Sequence, residues 1–372
     1  GIGDTRNGIT CIYKSSMATD LGHLFDMILL DEAHLICNPD SMVTRNMIKL
    51  QPKHRYALTA TPIPNKVFNI FPLCGWVSTE KWYRGDVETP QWPYANTPRG
   101  RASFKDQFTT KERDLTAENM RGTSSTKEAA VISQPQKLLK LLKPIMAFIS
   151  KEDCNPNLVD CNVNTVRVPF GKQQMKLYAH NLQVANIPHS NPKTRYGVQM
   201  MRLRGICADP KGREYNDVVS SNMNPKYVAI LEAVAECLAK DEQVIVVSAF
   251  QGMSEELGSR LMDANVPYSR IDGTTSDSHV SESNAFKRGD TKVMLMGIKC
   301  AQAHSFSSCR NLIIGSVEWS YGSFNQAMGR VYRLNSPQDV NIWVILHKDS
   351  IEEMMFDKLA TKRDAATICL HG

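Results

Sequence analysis

The run QVIVVSAF at residues 243–250 decides the fold. Its apolar, largely β-branched residues follow one another without alternation, the pattern of a strand covered on both faces, as strands of parallel sheets are. Outward from it, KVMLMG (292–297), RNLIIGS (310–316) and VNIWVILH (340–347) repeat the pattern with helical segments between them. Upstream, MILL (27–30) and RYALTA (55–60) read as buried strands of a second block. Strands alternating with helices predict an α/β fold of two parallel-sheet lobes with helical insertions. The expected divisions are 1–75 for the first lobe, 76–165 for a helical or irregular insertion, 166–225 for linking helices and 226–372 for the second lobe.

The insertion carries Trp76, Trp82 and Trp92 among prolines, then QPQKLLKLLKPIMAFI (134–149), whose leucines suit an amphipathic helix. Two further helices are expected around 173–183 and 196–207. The last helix opens on Ser350 and Glu353 at capping-box spacing, with Ile351, Met354, Met355 and Leu359 as its buried stripe.

A length of 372 residues, 42% hydrophobic and 22% charged, describes an ordinary globular chain of two domains. There are no repeats or low-complexity tracts, which argues against a solenoid or a disordered tail. The net charge of +6 permits an anionic partner without requiring one. None of the ten cysteines forms a C-x-x-C pair, and Cys154, Cys161, His180 and His189 fit no common zinc spacing. Reduced thiols, no membrane-length apolar run and no signal-peptide core give a soluble, intracellular expectation that does not separate cytoplasm from nucleus.

Chemistry concentrates in FDMILLDEAH (25–34), where two acids, Asp31 and Glu32, end an apolar run. One reading is a helix start, where carboxylates meet free backbone N–H groups. The other is a metal and water site at the carboxyl end of a parallel strand. RYALTATPIPN (55–65) ends the next strand on Thr59 and Thr61 before Pro62, so the hydroxyls and acids are expected to face one crevice. An aspartate can hold Mg²⁺ through its water shell and an adjacent glutamate can take a proton from water, the division of labour that nucleoside triphosphate hydrolysis needs.

DEAH (31–34), LTATPIPN (58–65) and QAMGRVYR (326–333) resemble motifs two, three and six of superfamily-two helicases, and in detail the Swi/Snf-type DNA translocases. LRGICADP (203–210), VIVVSAFQ (244–251), RIDGTTSDS (270–278) and DSIEEMM (349–355) also have counterparts there. The resemblance implies two RecA-like lobes that bind ATP and Mg²⁺ between them and use double-stranded DNA as partner. It assigns Asp31 to Mg²⁺, Glu32 to the general base, and His34, Thr59, Ala60 and Thr61 to coupling of nucleotide state to the DNA track. Gln326, Gly329, Arg330 and Arg333 match the motif whose arginines reach the γ-phosphate, a task suited to a guanidinium. The competing reading of the two arginines is a solvated helix face.

The resemblance departs from the family in two places. The phosphate-binding loop G-x-x-x-x-G-K-[ST] does not occur in these residues, and residues 1–25 are fewer than its usual separation from the acidic box. The chain also starts on Gly1, so it is read as a fragment, its first lobe N-terminally incomplete, inactive alone and an ATP hydrolase in its parent. The second departure is MGIKCAQAHSFSSCRN, with Ala301, Gln302 and His304 where glycines are expected, which leaves residues 299–305 without a secure role.

Nucleic-acid candidates are Lys299 and the basic positions Arg84, Arg99, Arg101, Lys105, Arg113, Lys137, Lys140 and Lys143. Trp82 and Trp92 are expected to anchor the insertion, with base stacking as the competing role. Two other functions fit the same residues: a strand-separating DNA or RNA helicase, and a non-hydrolysing nucleic-acid-binding scaffold. Tyr332, where DEAH-type RNA helicases carry a second glycine, speaks against the former.

Overall fold

The computed structural model describes residues 3–6, 9–12, 17–21, 24–50, 52–78, 92–113, 126–183, 192–209, 224–300 and 304–371. They fall into two compact units, Gly1–Asp114 with Ser124–Phe148 and Thr361–Gly372, and Leu115–Thr123 with Ile149–Ala360.

In the first unit β1 (Gly3–Arg6) and β2 (Ile9–Ile12) form an antiparallel ribbon. After α1 (Met17–Leu21) comes β3 (Met27–Leu30), a 3-10 turn at Ala33–Ile36, α2 (Met42–Met47) and β4 (His54–Ala57), which pairs in parallel with β3. Then follow α3 (Ile70–Ser78), α4 (Pro98–Phe108), the antiparallel pair β5 (Thr109–Arg113) and β6 (Thr126–Ile132), and α5 (Pro135–Leu142).

The core of this unit is aromatic: Phe71, Trp92, Tyr94 and Phe104 meet largely edge to face, the rings of Phe71 and Phe104 5.4 Å apart at 68°. Trp76 and Trp92 are buried, so both anchor the fold and neither offers a face to a base; Trp82 lies outside the described residues. Helix α5 stops at Leu142, short of the expected 149, because Pro144 has no N–H to continue the ladder. Leu138 and Leu142 are buried while Lys137, Lys140 and Lys143 face solvent.

The runs MILL and RYALTA were expected to be buried strands, and here the structure differs. Ile28, Leu30 and Ala57 pack on the core, but Met27 is 61% exposed, Leu29 57% and Tyr56 52%. Among the described residues only one face of this pair is covered, so each strand alternates in burial.

The second unit begins with α6 (Lys151–Cys154), β7 (Cys161–Val168), α7 (Lys172–Leu182), α8 (Pro192–Ala208) and α9 (Pro225–Ala239). It continues through β8 (Val244–Ser248), α10 (Gln251–Asp263), β9 (Tyr268–Ile271), α11 (His279–Arg288), β10 (Val293–Gly297), β11 (Asn311–Ile314), α12 (Tyr321–Met328), β12 (Val340–His347) and α13 (Ile351–His371), whose residues from Thr361 onward are grouped with the first unit. Its strands make one six-stranded parallel sheet in the order β7-β12-β11-β8-β10-β9. Every residue of β8 and β11 is buried, as central strands covered on both faces must be. The unit takes in residues 149–225, which the sequence divides between insertion and linking helices, and β7 from that span forms an edge of the sheet.

Helix α13 caps differently from the expected box. Ser350 Oγ accepts from Glu352 N at 3.1 Å, while the Glu353 carboxylate takes the N–H of Asp349 at 2.9 Å. Its buried stripe is Ile351, Met355 and Leu359, whereas Met354 is 39% exposed, and Glu352 is buried instead. That carboxylate bonds Lys226 Nζ through both oxygens, and the ammonium also donates to Gly315 O at 3.2 Å. Burial and the neighbouring Lys226 ammonium push the His347 imidazole down to about 2, so it stays neutral beside this pair. Lys226→Ala strands a buried carboxylate and is expected to destabilise this unit by about 3–5 kcal/mol. Lys226→Met with Glu352→Leu, which removes both charges, should recover most of that loss in urea denaturation. A single variant with an unchanged midpoint would show that the pair contributes nothing.

Candidate functional site

The acidic turn is strained and stitched to its neighbour. Glu32 stands in the left-handed region at φ 49°, ψ 44°, where a side chain with a Cβ costs about 1–2 kcal/mol. Its N–H is taken by Asp31 Oδ1 at 2.8 Å, and Ala33 N donates to Leu58 O at 2.8 Å, tying the end of β3 to the end of β4. Only the short Ala33–Ile36 turn follows, and the Glu32 side chain makes no cap bond to it. The helix-start reading therefore does not describe this carboxylate. It turns instead to His34, whose Nδ1 lies 3.2 Å from Glu32 Oε2 and 3.3 Å from Thr59 Oγ1. Thr59 Oγ1 accepts the N–H of Thr61 at 3.1 Å. Glu32, His34, Thr59 and Thr61 thus form a continuous polar chain at the carboxyl ends of two parallel strands. Ala60 is exposed at the turn between the threonines, and the buried Thr61 Oγ1 has no hydrogen-bond partner among the described residues.

Asp31 is exposed beside that chain. Among the described residues no group of three or more His, Cys, Asp and Glu side chains could hold a metal. A single carboxylate of this kind fits magnesium, which keeps several waters and shares its coordination between one or two carboxylates and substrate phosphates.

In the second unit Gln326 lies half-buried on α12, which ends at Met328. Gly329 closes the helix at φ −64°; a Cβ there would stand 3.3 Å from Asn325 O, so the glycine serves close packing. Arg330 and Arg333 therefore lie beyond the helix, in a half-buried turn, and not on a solvated helix face. Arg330 Nη1 donates to His304 O at 2.8 Å, and Phe306 N donates back to Arg330 O at 3.0 Å. The Arg333 N–H goes to Ser336 Oγ at 2.9 Å, and Ser336 Oγ donates to Val331 O at 2.7 Å.

His304 has a definite place: its ring stacks near Phe306, and burial, together with the neighbouring His279, Lys287 and Arg330, pushes its imidazole down. Lys299 is exposed, and Ala301 and Gln302 lie outside the described residues. Within RIDGTTSDS, burial alone would raise Asp272, but the hydroxyl and amide of Thr274 and the Arg270 guanidinium together hold its carboxyl below the usual range. Asp209 of LRGICADP packs against the start of α10, where a Cβ on Gly252 would collide with its carboxylate.

The basic candidates separate. Arg101 is held by both oxygens of Asp40, at 2.9 and 3.0 Å, and by Asn96, so its charge is spent inside the unit. Lys105 covers the Phe68 ring at 4.2 Å. Arg99 is exposed on α4. Arg84 and the Arg113 side chain lie outside the described residues. The sequence reading did not single out Asp40, Ser336 or the residues that bond main-chain oxygens of the arginine turn, because such partners leave no residue-type signature.

The SNF2-related domain model matches residues 8–212, and the helicase conserved C-terminal domain model matches residues 226–335. Protein CHROMATIN REMODELING 8 of Arabidopsis thaliana is 24% identical over 89% of this chain and 27% of its own length. Chromodomain-helicase-DNA-binding protein 7 of Gallus gallus is 23% identical over 90% of this chain and 11% of its own. The chain thus spans well under a third of these relatives. A solved structure of the Sulfolobus solfataricus SWI2/SNF2 ATPase core in complex with dsDNA aligns over 91% of this chain and 67% of that one, at a TM-score of 0.47 and 18% identity. No helix among the described residues is long and apolar enough to cross a membrane.

Proposed function

Because this chain belongs to the SNF2-related family, we propose that it forms part of an ATP-driven motor that tracks along double-stranded DNA. The observation that carries the reading is the chain Glu32–His34–Thr59–Thr61, which joins an acidic, strained turn to the next strand's hydroxyls. Glu32 acts as the general base, taking a proton from the attacking water. Asp31 would hold magnesium, which would supply positive charge to offset that developing on the phosphate oxygens.

His34 orients the base. With its Nδ1 protonated, the ring donates toward the carboxylate and lies within reach of Thr59, so a shift of the Glu32 carboxylate is felt at the 59–61 turn. That is a physical route from nucleotide state to the segment the family uses for coupling. Arg330 and Arg333 stabilise the γ-phosphate as charge grows, and Gln326 and Gly329 shape the element that presents them. Lys299, Arg99 and the solvent-facing Lys137, Lys140 and Lys143 are exposed basic candidates placed to meet phosphate. Backbone contacts of that kind carry little base specificity. The setting is inside the cell, with the nucleus suggested by the chromatin-remodelling names among the relatives.

The test is ATP turnover by the full-length protein with duplex DNA, single strands and RNA. Stimulation by duplex supports the translocase, whereas preference for single strands or RNA favours a strand-separating helicase. The 372 residues contain no G-x-x-x-x-G-K-[ST] loop to cradle the β- and γ-phosphates. By themselves they should therefore turn over no ATP, yet bind DNA with an affinity that falls as salt rises. Robust DNA-stimulated turnover by this chain alone would overturn the assignment of phosphate binding to such a loop.

A further inference from the structure

The turn that carries Arg330 and Arg333 is strapped from one side by a segment with no assigned role. Ser150 caps α6 reciprocally with Asp153, which sets Lys151 at the first position of that helix. From there Lys151 Nζ donates to Tyr332 O at 2.7 Å and sits 4.4 Å above the centre of the Tyr332 ring. Two more bonds follow the same course: Asn155 Nδ2 to Leu334 O at 3.3 Å and Asp160 N to Asp339 Oδ1 at 3.0 Å.

The peptide that joins Tyr332 to Arg333 is thereby fixed at both of its polar ends. Its carbonyl oxygen receives the Lys151 ammonium, and its N–H is taken by Ser336 Oγ. A peptide plane held at both ends fixes where the Arg333 Cα stands and the direction of its N–Cα bond, so the point from which the Arg333 side chain departs is set by groups that never touch phosphate. An ammonium bonded to a carbonyl and lying over an aromatic face is also stronger than a surface contact. From this geometry we infer that Lys151 is a positioning residue for Arg333, acting through the Tyr332 carbonyl. The inference rests on the phosphate-stabilising role proposed for Arg333.

The experiment uses the full-length protein with Lys151→Met, which keeps the stem and removes the donor, and Lys151→Arg, which keeps a charged donor. In amide hydrogen exchange, Lys151→Met should speed exchange at Arg333 while leaving α12 unchanged, and Lys151→Arg should restore protection. Unchanged exchange at Arg333 overturns the strap, with no reference to activity. In DNA-stimulated ATP turnover, Lys151→Met should lower kcat on the order of 100-fold, the loss expected from a misplaced group, with little change in KM for ATP. In an Arg333→Ala background the same change should have no further effect, since the group it positions is gone. Losses that multiply in the double variant, or a parental kcat for Lys151→Met, overturn the positioning role. Absence of turnover in the parental protein itself overturns the proposed motor function and this role with it, while the exchange result still decides the strap.

Discussion

Arg333→Ala and Arg330→Ala are each expected to depress DNA-stimulated ATP turnover by about 1,000- to 100,000-fold, the contribution of an arginine that meets phosphoryl-transfer charge. Nucleotide affinity should fall far less, because the charge these groups stabilise develops during the reaction. Both arginines are half-buried in a turn pinned by main-chain bonds, so neither is a long side chain wandering in solvent. Lysine should rescue poorly at either position, since it keeps the charge but loses the planar fork. Arg330 carries a second load, the 2.8 Å bond to His304 O, so Arg330→Ala is also expected to loosen the loop at residues 304–306. Turnover and ATP affinity measured separately for the two variants decide the matter. If both turn over ATP at near-parental rates, these side chains are structural parts of the turn and do not meet the phosphate.

The second large effect is expected at Glu32. Glu32→Gln keeps the shape of the side chain and its reach toward His34 but removes the basic carboxylate. Turnover should fall by about 100- to 10,000-fold with the fold and nucleotide binding retained. The left-handed backbone at this residue sharpens the prediction, because strain of this kind persists only where the surroundings impose it, and it gathers at functional sites. Glu32→Gly relieves the strain but also deletes the carboxylate, so it should be at least as stable and equally slow. Parental turnover for Glu32→Gln would return the acid to a local structural role.

How much of this was legible beforehand depended on where a strand sits in its sheet. Strands β8, β10, β11 and β12 are apolar over nearly their whole length because both faces are covered, and a run such as VIVVS can hardly be read otherwise. The edges escaped notice. β7 puts Asn162, Asn164 and Arg167 into its eight residues, and β9 is only Tyr-Ser-Arg-Ile, since an edge strand with a wet face need not be apolar. Similarly, Met354, expected on the buried stripe of α13, is exposed, while Glu352 is buried against Lys226 in an ion pair invisible in hydrophobic periodicity.

The site residues were legible through side-chain identity at motif positions, and that is where legibility stopped. The contact of His34 with both Glu32 and Thr59 needs the pairing of β3 with β4, which no spacing announces. Arg101 looked like a phosphate ligand because it is basic, but Asp40, far away in sequence, neutralises it.

The pairing of β7 with β12 has a consequence for how the protein is made. Cys161 is registered against Val340. On a ribosome adding about 5–20 residues per second, the partner of β7 emerges roughly 10–40 s after β7 itself. Until then β7 has α9 to lie against but not its strand partner β12, and the sheet of the second unit cannot close at that edge. A strand synthesised early is therefore among the last to find its ladder partner, which makes the interval before β12 arrives the one in which the nascent chain depends most on protection from wrong partners.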